Sequence, residues 1–322
     1  MSELPLTNVR VKSMTLLADS IVSLLLEALD GSDLPAASAG SHIDVNLGGK
    51  LSRCYSVVRR DGAPKRYEIA VAKDARSRGG SRHIHETLRV GDILQIGAPR
   101  NLFPLVEDAS LSVLIAGGIG ITPLWSMVQR LETLGRSWVL HYAARDRSRV
   151  AYISDIKAFS EGSTNGKLHV HFDNEHGGQA LDIGAVLRDV PTDAHVYCCG
   201  PQSMLDTFEA ATAARPAGTV HLERFASTQH QGDSQEFTVV LAKSGQSFEV
   251  APDQSILDVL LENGIDVPFG CMQGACGLCE TRVLDGTPDH RDSLLSAEAR
   301  ATGQNMLICC SRSRTPVLTL DA

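Results

Sequence analysis

Cys271, Cys276 and Cys279 stand in the stretch Cys-Met-Gln-Gly-Ala-Cys-Gly-Leu-Cys, a C-x4-C-x2-C spacing, and Cys309 follows after 29 intervening residues. Three thiolates on one loop and a fourth on a distant segment can hold two irons bridged by two sulfides, two thiolates per iron. The loop must fold tightly around such a cluster. Gly270, Gly274 and Gly277 permit this, because glycine reaches positive φ and lets backbone approach a ligand closely. Amide groups of the loop can then donate to the sulfurs and tune the centre. A structural zinc site built from four cysteines comes as two paired C-x2-C knuckles. Here there is one such pair and a lone distant cysteine, so a [2Fe-2S] cluster is expected. Cys310 beside Cys309 leaves the fourth ligand open on spacing alone.

Two further groups could do chemistry earlier in the chain. Arg53-Cys54-Tyr55-Ser56 is an R-x-Y-S string that resembles the flavin motif of the ferredoxin reductase superfamily. An arginine can hold a flavin phosphate bidentately. A tyrosine can lie along the ring or ribityl chain, and a serine hydroxyl can bond near the reactive N5. Ser77-Arg78-Gly79-Gly80-Ser81, before a helix expected over residues 83–88, reads as a phosphate cradle, with Lys73 between the two groups. The cradle leaves little room for an added adenylate, and the resemblance points to FMN, with FAD as the second choice.

In the middle of the chain, the apolar run Ser112-Val-Leu-Ile-Ala meets Gly117-Gly118-Ile-Gly120-Ile-Thr122-Pro123, and a helix is expected over residues 124–134. Strand, glycine turn and helix place a pyrophosphate against helix N–H groups. The string is not G-x-G-x-x-G; it matches the G-G-x-G-x-T-P form of flavin reductases. Pro123 suits a first helical turn, which needs no N–H from it. Cys198-Cys199-Gly200-Pro201 ends a later strand, and by resemblance to the same reductases Cys199 faces the nicotinamide. Asp173 ends the third strand, where an acid can take a ribose hydroxyl and favour NADH over NADPH. Arg145, Arg147 and Arg149 follow the second strand and speak for a 2′-phosphate. Phe225, in Glu223-Arg224-Phe225, resembles the aromatic that shields one flavin face.

These groups need three kinds of scaffold, and the 322-residue chain is long enough to build them. Short strands with turn residues between them predict an antiparallel flavin-binding β-barrel over residues 1–105. Alternating strands and helices predict a doubly wound parallel-sheet nucleotide domain over 106–226, with about five strands. Residues 227–235 are polar and read as a linker. A hairpin over 236–250, a helix over 255–264, the cysteine loop and a strand over 316–320 resemble a β-grasp ferredoxin domain covering 236–322. The fold class is thus multidomain, α/β and all-β.

Composition narrows the function. With 43% hydrophobic and 21% charged residues, the chain is an ordinary globular one. There is no apolar run long enough for a membrane span and no secretory signal pattern, and eight cysteines find uses without disulfides. A cytoplasmic protein with no membrane partner is expected. The net charge is −8, and from Glu236 on there are 12 acidic and 6 basic residues. Nucleic acid, which needs a basic face, is not an expected partner. An acidic face around a redox centre would suit docking on a basic patch.

Taken in order, the R-x-Y-S barrel, G-G-I-G-I-T-P, C-C-G-P and C-terminal C-x4-C-x2-C are similar to the phthalate dioxygenase reductase family. The resemblance covers the whole chain. It implies electron flow from NADH through FMN to [2Fe-2S] and on to a Rieske oxygenase partner of the aromatic-ring dioxygenase or O-demethylase type. In the resembling ferredoxins one residue separates the last ligand from Ser-Arg, which selects Cys309 and leaves Cys310 as a small buried side chain. Ser56 and Cys199 are the residues expected beside the reacting atoms. Two other classes stay open: an NADPH- and FAD-using reductase of a diiron or haem monooxygenase, and a passive ferredoxin-type electron carrier.

Overall fold

The computed structural model describes residues 6–48, 51–58, 65–74, 79–225, 235–252, 254–269, 272, 274, 277–292 and 294–322. The chain divides into two compact units, Met1–Phe225 and Ala226–Ala322. Ser77, Arg78, Gly270, Cys271, Cys276 and residues 227–234 of the expected linker lie outside the described residues.

The first unit begins with β1 (Thr7–Ala18), β2 (Ile21–Ala28), β3 (His42–Asn46), β4 (Ser52–Ser56), β5 (Arg66–Ala72), α1 (Gly80–Glu86) and β6 (Ile93–Ile96). The strands form one antiparallel sheet in the order β4-β3-β6-β1-β2-β5. Alternation drives it: Val9 and Val11 are buried, while Asn8, Arg10 and Lys12 are exposed. Val9, Leu24, Leu26, Ile43, Ile69 and Ile96 fill the interior. The two ends of the sheet meet where Val58 N–H donates to Glu68 O at 2.8 Å, closing the barrel.

Next come β7 (Leu111–Gly117), α2 (Ile121–Thr133), β8 (Ser137–Ala144), α3 (Ile153–Glu161), β9 (Gly166–Phe172), α4 (Ile183–Leu187), β10 (His195–Cys199), α5 (Gln202–Thr212) and β11 (Val220–Glu223). This sheet is parallel, ordered β11-β10-β7-β8-β9. β7 is apolar from Val113 to Ala116 because both its faces are covered. Leu114 and Ala116 pack with α2 on one side, and Val113 and Ile115 pack with α4 and α5 on the other. The strand order reverses between β7 and β10, which is where such sheets bind ligands. The sequence predicts a helix over residues 151–159, and α3 starts two residues later. Tyr152 is held at φ 57, with its hydroxyl donating to buried Glu68 on β5 at 2.9 Å.

The second unit contains β12 (Phe237–Leu241), β13 (Ser247–Val250), α6 (Ile256–Glu262), β14 (Glu280–Asp285), β15 (Pro288–Asp289), α7 (Ala297–Thr302), β16 (Asn305–Leu307), β17 (Arg312–Ser313) and β18 (Val317–Leu320). Its main sheet runs β13-β12-β18-β14-β16, with β12 and β18 parallel and the other pairs antiparallel. α6 starts at a capping box, in which Ser255 and Asp258 satisfy each other's backbone N–H groups. Leu257 and Leu260 of α6 pack on Val239, Leu318 and Ile308. Among the described residues no helix is long and apolar enough to cross a membrane.

Candidate redox sites

The glycine turn after β7 and the Cys-Gly-Pro turn after β10 interlock. A Cβ on Gly120 would lie 2.1 Å from Cys199 O, and one on Gly117 would lie 2.6 Å from Pro201 Cδ and 2.8 Å from Met204 Sδ. Gly118, at φ +54, would meet nothing within 4 Å, so its backbone borders open space. Pro123 is buried in the first turn of α2, and Thr122 Oγ1 donates to Ile119 O at 3.0 Å. Thr122 therefore braces the turn. Gly200 lies against the backbone of Gly117. The structure thus brings Gly117, Gly118, Gly120, Cys199, Gly200 and Pro201 together at the carboxyl ends of two adjacent strands. Asp173 is elsewhere, beyond the end of β9, with Oδ1 3.5 Å from His171 Nε2.

Cys199 is 0% exposed, and burial followed by the nearby Glu223 pushes its thiol well above the ordinary value. It is a neutral thiol, suited to packing against an uncharged ring and unsuited to nucleophilic attack. Phe225 packs against the same apolar cluster. Glu223 was not among the residues marked from sequence. It pairs with Cys199 across β10 and β11, 24 positions apart in the chain. Its Oε2 is buried without a hydrogen-bond partner, and burial raises its pKa to about 8.

A pH effect follows from Glu223. Below pH 4.5 the carboxyl is protonated whether the chain is folded or not. Between 4.5 and about 8 the unfolded chain ionises while the fold keeps its proton, so stability falls as pH rises through that window. Glu223→Gln is expected to gain on the order of 2 kcal/mol over wild type in urea unfolding at pH 8 and nothing at pH 4.5. Equal pH slopes in the two proteins would refute this.

On the barrel, Arg53, Tyr55 and Ser56 share β4. The Arg53 side chain lies against the start of α1, where a Cβ on Gly80 would sit 2.6 Å from its Cγ. Gly79, just before, has φ +94. Ser81 Oγ accepts from Asp74 N–H at 3.1 Å. Lys73 is drawn to the other end of α1, its Nζ 2.9 Å from Glu86 Oε1. Ser56 is 5% exposed with its hydroxyl unpartnered, and burial raises the Tyr55 phenol. An orphaned buried hydroxyl, an aromatic and a glycine-lined arginine on one strand and the adjoining helix start fit a flavin.

In the second unit, Cys279 and Cys309 are 3% and 2% exposed. Their thiols are within hydrogen-bonding reach of one another, and Cys309 also meets the Cys310 thiol and the backbone of Gly274. Gly274 has φ +72, and a Cβ there would lie 2.5 Å from Cys310 Sγ and 2.9 Å from Asp292 Cα. Only glycine fits that corner. Cys310 Sγ approaches Leu307 O at 3.7 Å. Asp292, also unmarked from sequence, is a buried anchor for the loop. It accepts from Leu295 N–H at 2.8 Å and Leu294 N–H at 3.2 Å. The buried thiols of Cys279, Cys309 and Cys310, gathered against a bare glycine backbone, fit a sulfur-held cluster.

Residues 114–210 match the oxidoreductase NAD-binding domain, and residues 239–314 match the 2Fe-2S iron-sulfur cluster binding domain. The solved phthalate dioxygenase reductase, described as a modular structure for electron transfer from pyridine nucleotides to [2Fe-2S], is similar over 98% of both chains, at 35% identity and a TM-score of 0.85. The chain belongs to the phthalate dioxygenase reductase family. Relatives share more sequence. Tetrachlorobenzoquinone reductase of Sphingobium chlorophenolicum is 47% identical over 97% of this chain and 96% of its own. Vanillate O-demethylase oxidoreductase of Pseudomonas sp. (strain HR199 / DSM 7063) is 41% identical over 97% and 98%. As a phthalate dioxygenase reductase family member, the chain is an oxidoreductase that carries electrons from a pyridine nucleotide by way of flavin to [2Fe-2S].

Proposed function

We propose that this chain is the NADH-dependent, FMN-containing reductase component of a two-component Rieske oxygenase of the aromatic-ring dioxygenase or O-demethylase type, acting in the cytoplasm. One observation carries the reading of the first unit. Gln129 Nε2 on α2 donates to Val58 O at 3.1 Å, two residues beyond Ser56. The helix that opens at the glycine turn is thereby tied to the strand that bears the flavin residues. Flavin, when bound, accepts both electrons of a hydride and releases them one at a time, as a [2Fe-2S] cluster requires.

The protein's part is placement. Gly118 would admit the pyrophosphate at the open edge of the turn, Gly120 holds that turn against Cys199, and Cys199, Gly200 and Pro201 would border the nicotinamide. Ser56 offers its unpartnered hydroxyl near flavin N5, with Phe225 over the flavin face. Arg53, Gly79, Gly80 and Ser81 would hold the phosphate of FMN, and Tyr55 the ring or ribityl chain. Asp173 supports NADH. Cys271, Cys276, Cys279 and Cys309 would hold the cluster. Transfer onward is downhill, since such clusters lie near roughly −400 mV and Rieske centres at about −150 mV or above.

Flavin released by heat is expected to be FMN, and the protein is expected to reduce a Rieske oxygenase component faster with NADH than with NADPH. Released FAD, or turnover confined to a haem or diiron partner, would count against the proposal. A quinone is the second acceptor class, favoured by the 47% identical relative named tetrachlorobenzoquinone reductase. Rates with a benzoquinone and with the Rieske component, measured side by side, separate the two.

A further inference from the structure

The loops after β8 and β9 bring charged groups to the end of the sheet where an adenosine ribose would lie. They are joined by Asn174 N–H donating to Arg145 O at 3.0 Å. Arg147 reaches across from the first loop to the second. Its Nε is 2.5 Å from Glu175 Oε1 and its Nη2 is 3.0 Å from Glu175 Oε2. Its guanidinium lies 4.7 Å over the Phe172 ring, at the last residue of β9, immediately before Asp173. Arg149 is drawn back to Asp146 at 3.4 Å.

A 2′-phosphate is recognised by an arginine fork that can present two parallel N–H groups. In Arg147 that fork is engaged bidentately by a carboxylate. The pair is neutral overall, and Glu175 adds a negative charge that a 2′-phosphate would have to face. We propose that Glu175 is a specificity-determining residue for the coenzyme. By neutralising Arg147, it turns the guanidinium that lies over Phe172, the residue before Asp173, from a 2′-phosphate acceptor into a closed ion pair. This deepens the NADH reading and rests on it. Asp173 rewards the free ribose hydroxyl, and Glu175 withholds the Arg147 cation from a phosphate.

The test uses adenosine fragments, so it reads binding and not turnover. Calorimetry on the full chain compares 5′-AMP with 2′-phospho-AMP for wild type, Glu175→Ala, Arg147→Ala and the double variant. Wild type is expected to favour 5′-AMP. Glu175→Ala is expected to bind 2′-phospho-AMP about tenfold tighter while 5′-AMP stays within about twofold. Arg147→Ala alone should weaken 2′-phospho-AMP relative to 5′-AMP, because it leaves the Glu175 carboxylate unpaired, and removing Arg147 should cancel the gain in the double variant. If wild type favours 5′-AMP but Glu175→Ala gains nothing, or gains equally for both fragments, the inference about Glu175 fails alone. If wild type favours 2′-phospho-AMP, the NADH reading fails and takes the inference with it.

Discussion

Cys279→Ala is expected to abolish electron delivery to cytochrome c while sparing the first half of the reaction. The buried Cys279 and Cys309 thiols converge on one point beside Gly274. Losing one of four thiolates leaves an iron without a full tetrahedral set, and binding energy for the cluster is lost with it. NADH–cytochrome c reduction should fall by more than about a hundredfold, with iron content falling in parallel. NADH–ferricyanide reduction, which can draw on flavin directly, should stay within about twofold, because the barrel and the parallel sheet belong to the other compact unit. Full cytochrome reduction in an iron-free variant would show that electrons leave by another route.

Gly120→Ala is expected to have the largest effect on the first unit. The added methyl would sit 2.1 Å from Cys199 O and 2.5 Å from Cys199 C. These are backbone atoms of a central strand, so no rotamer change relieves the clash. The turns after β7 and β10 must separate, and they are the walls of the proposed nucleotide crevice. A loss of about 3 kcal/mol is expected, at the upper end for overpacking. Thermal unfolding should shift down by roughly 6–12 °C. In the protein that remains folded, the KM for NADH should rise by about tenfold or more. A variant with unchanged melting temperature and KM would mean that the two turns do not abut as described.

Much of this was legible in the sequence where one short segment sets the physics. The cysteine spacing is dictated by tetrahedral iron and so survives in the linear string. The capping box at Ser255 and Asp258 and the alternation around Val9 and Val11 are likewise local. What escaped depends on pairing between distant segments. Glu223 matters because parallel register sets it opposite Cys199. Asp292 matters because its backbone closes over Gly274. Lys73 looked like a phosphate ligand by position, yet Glu86 at the far end of α1 claims its ammonium. The start of α3 moved because Tyr152 bonds Glu68, 84 positions earlier. These partners stand 13 to 84 positions apart and meet only in the fold.

Flavin held on the β4–α1 surface is proposed to pass electrons from pyridine nucleotide to the cysteine-held cluster. Anaerobic addition of NADH to holoprotein and to protein stripped of flavin, followed by visible absorbance, tests it most directly. In holoprotein both the flavin and the iron–sulfur absorbance should bleach. In stripped protein the iron–sulfur absorbance should persist, and adding back FMN should restore its loss. Bleaching of the cluster by NADH at an undiminished rate without flavin would contradict the account.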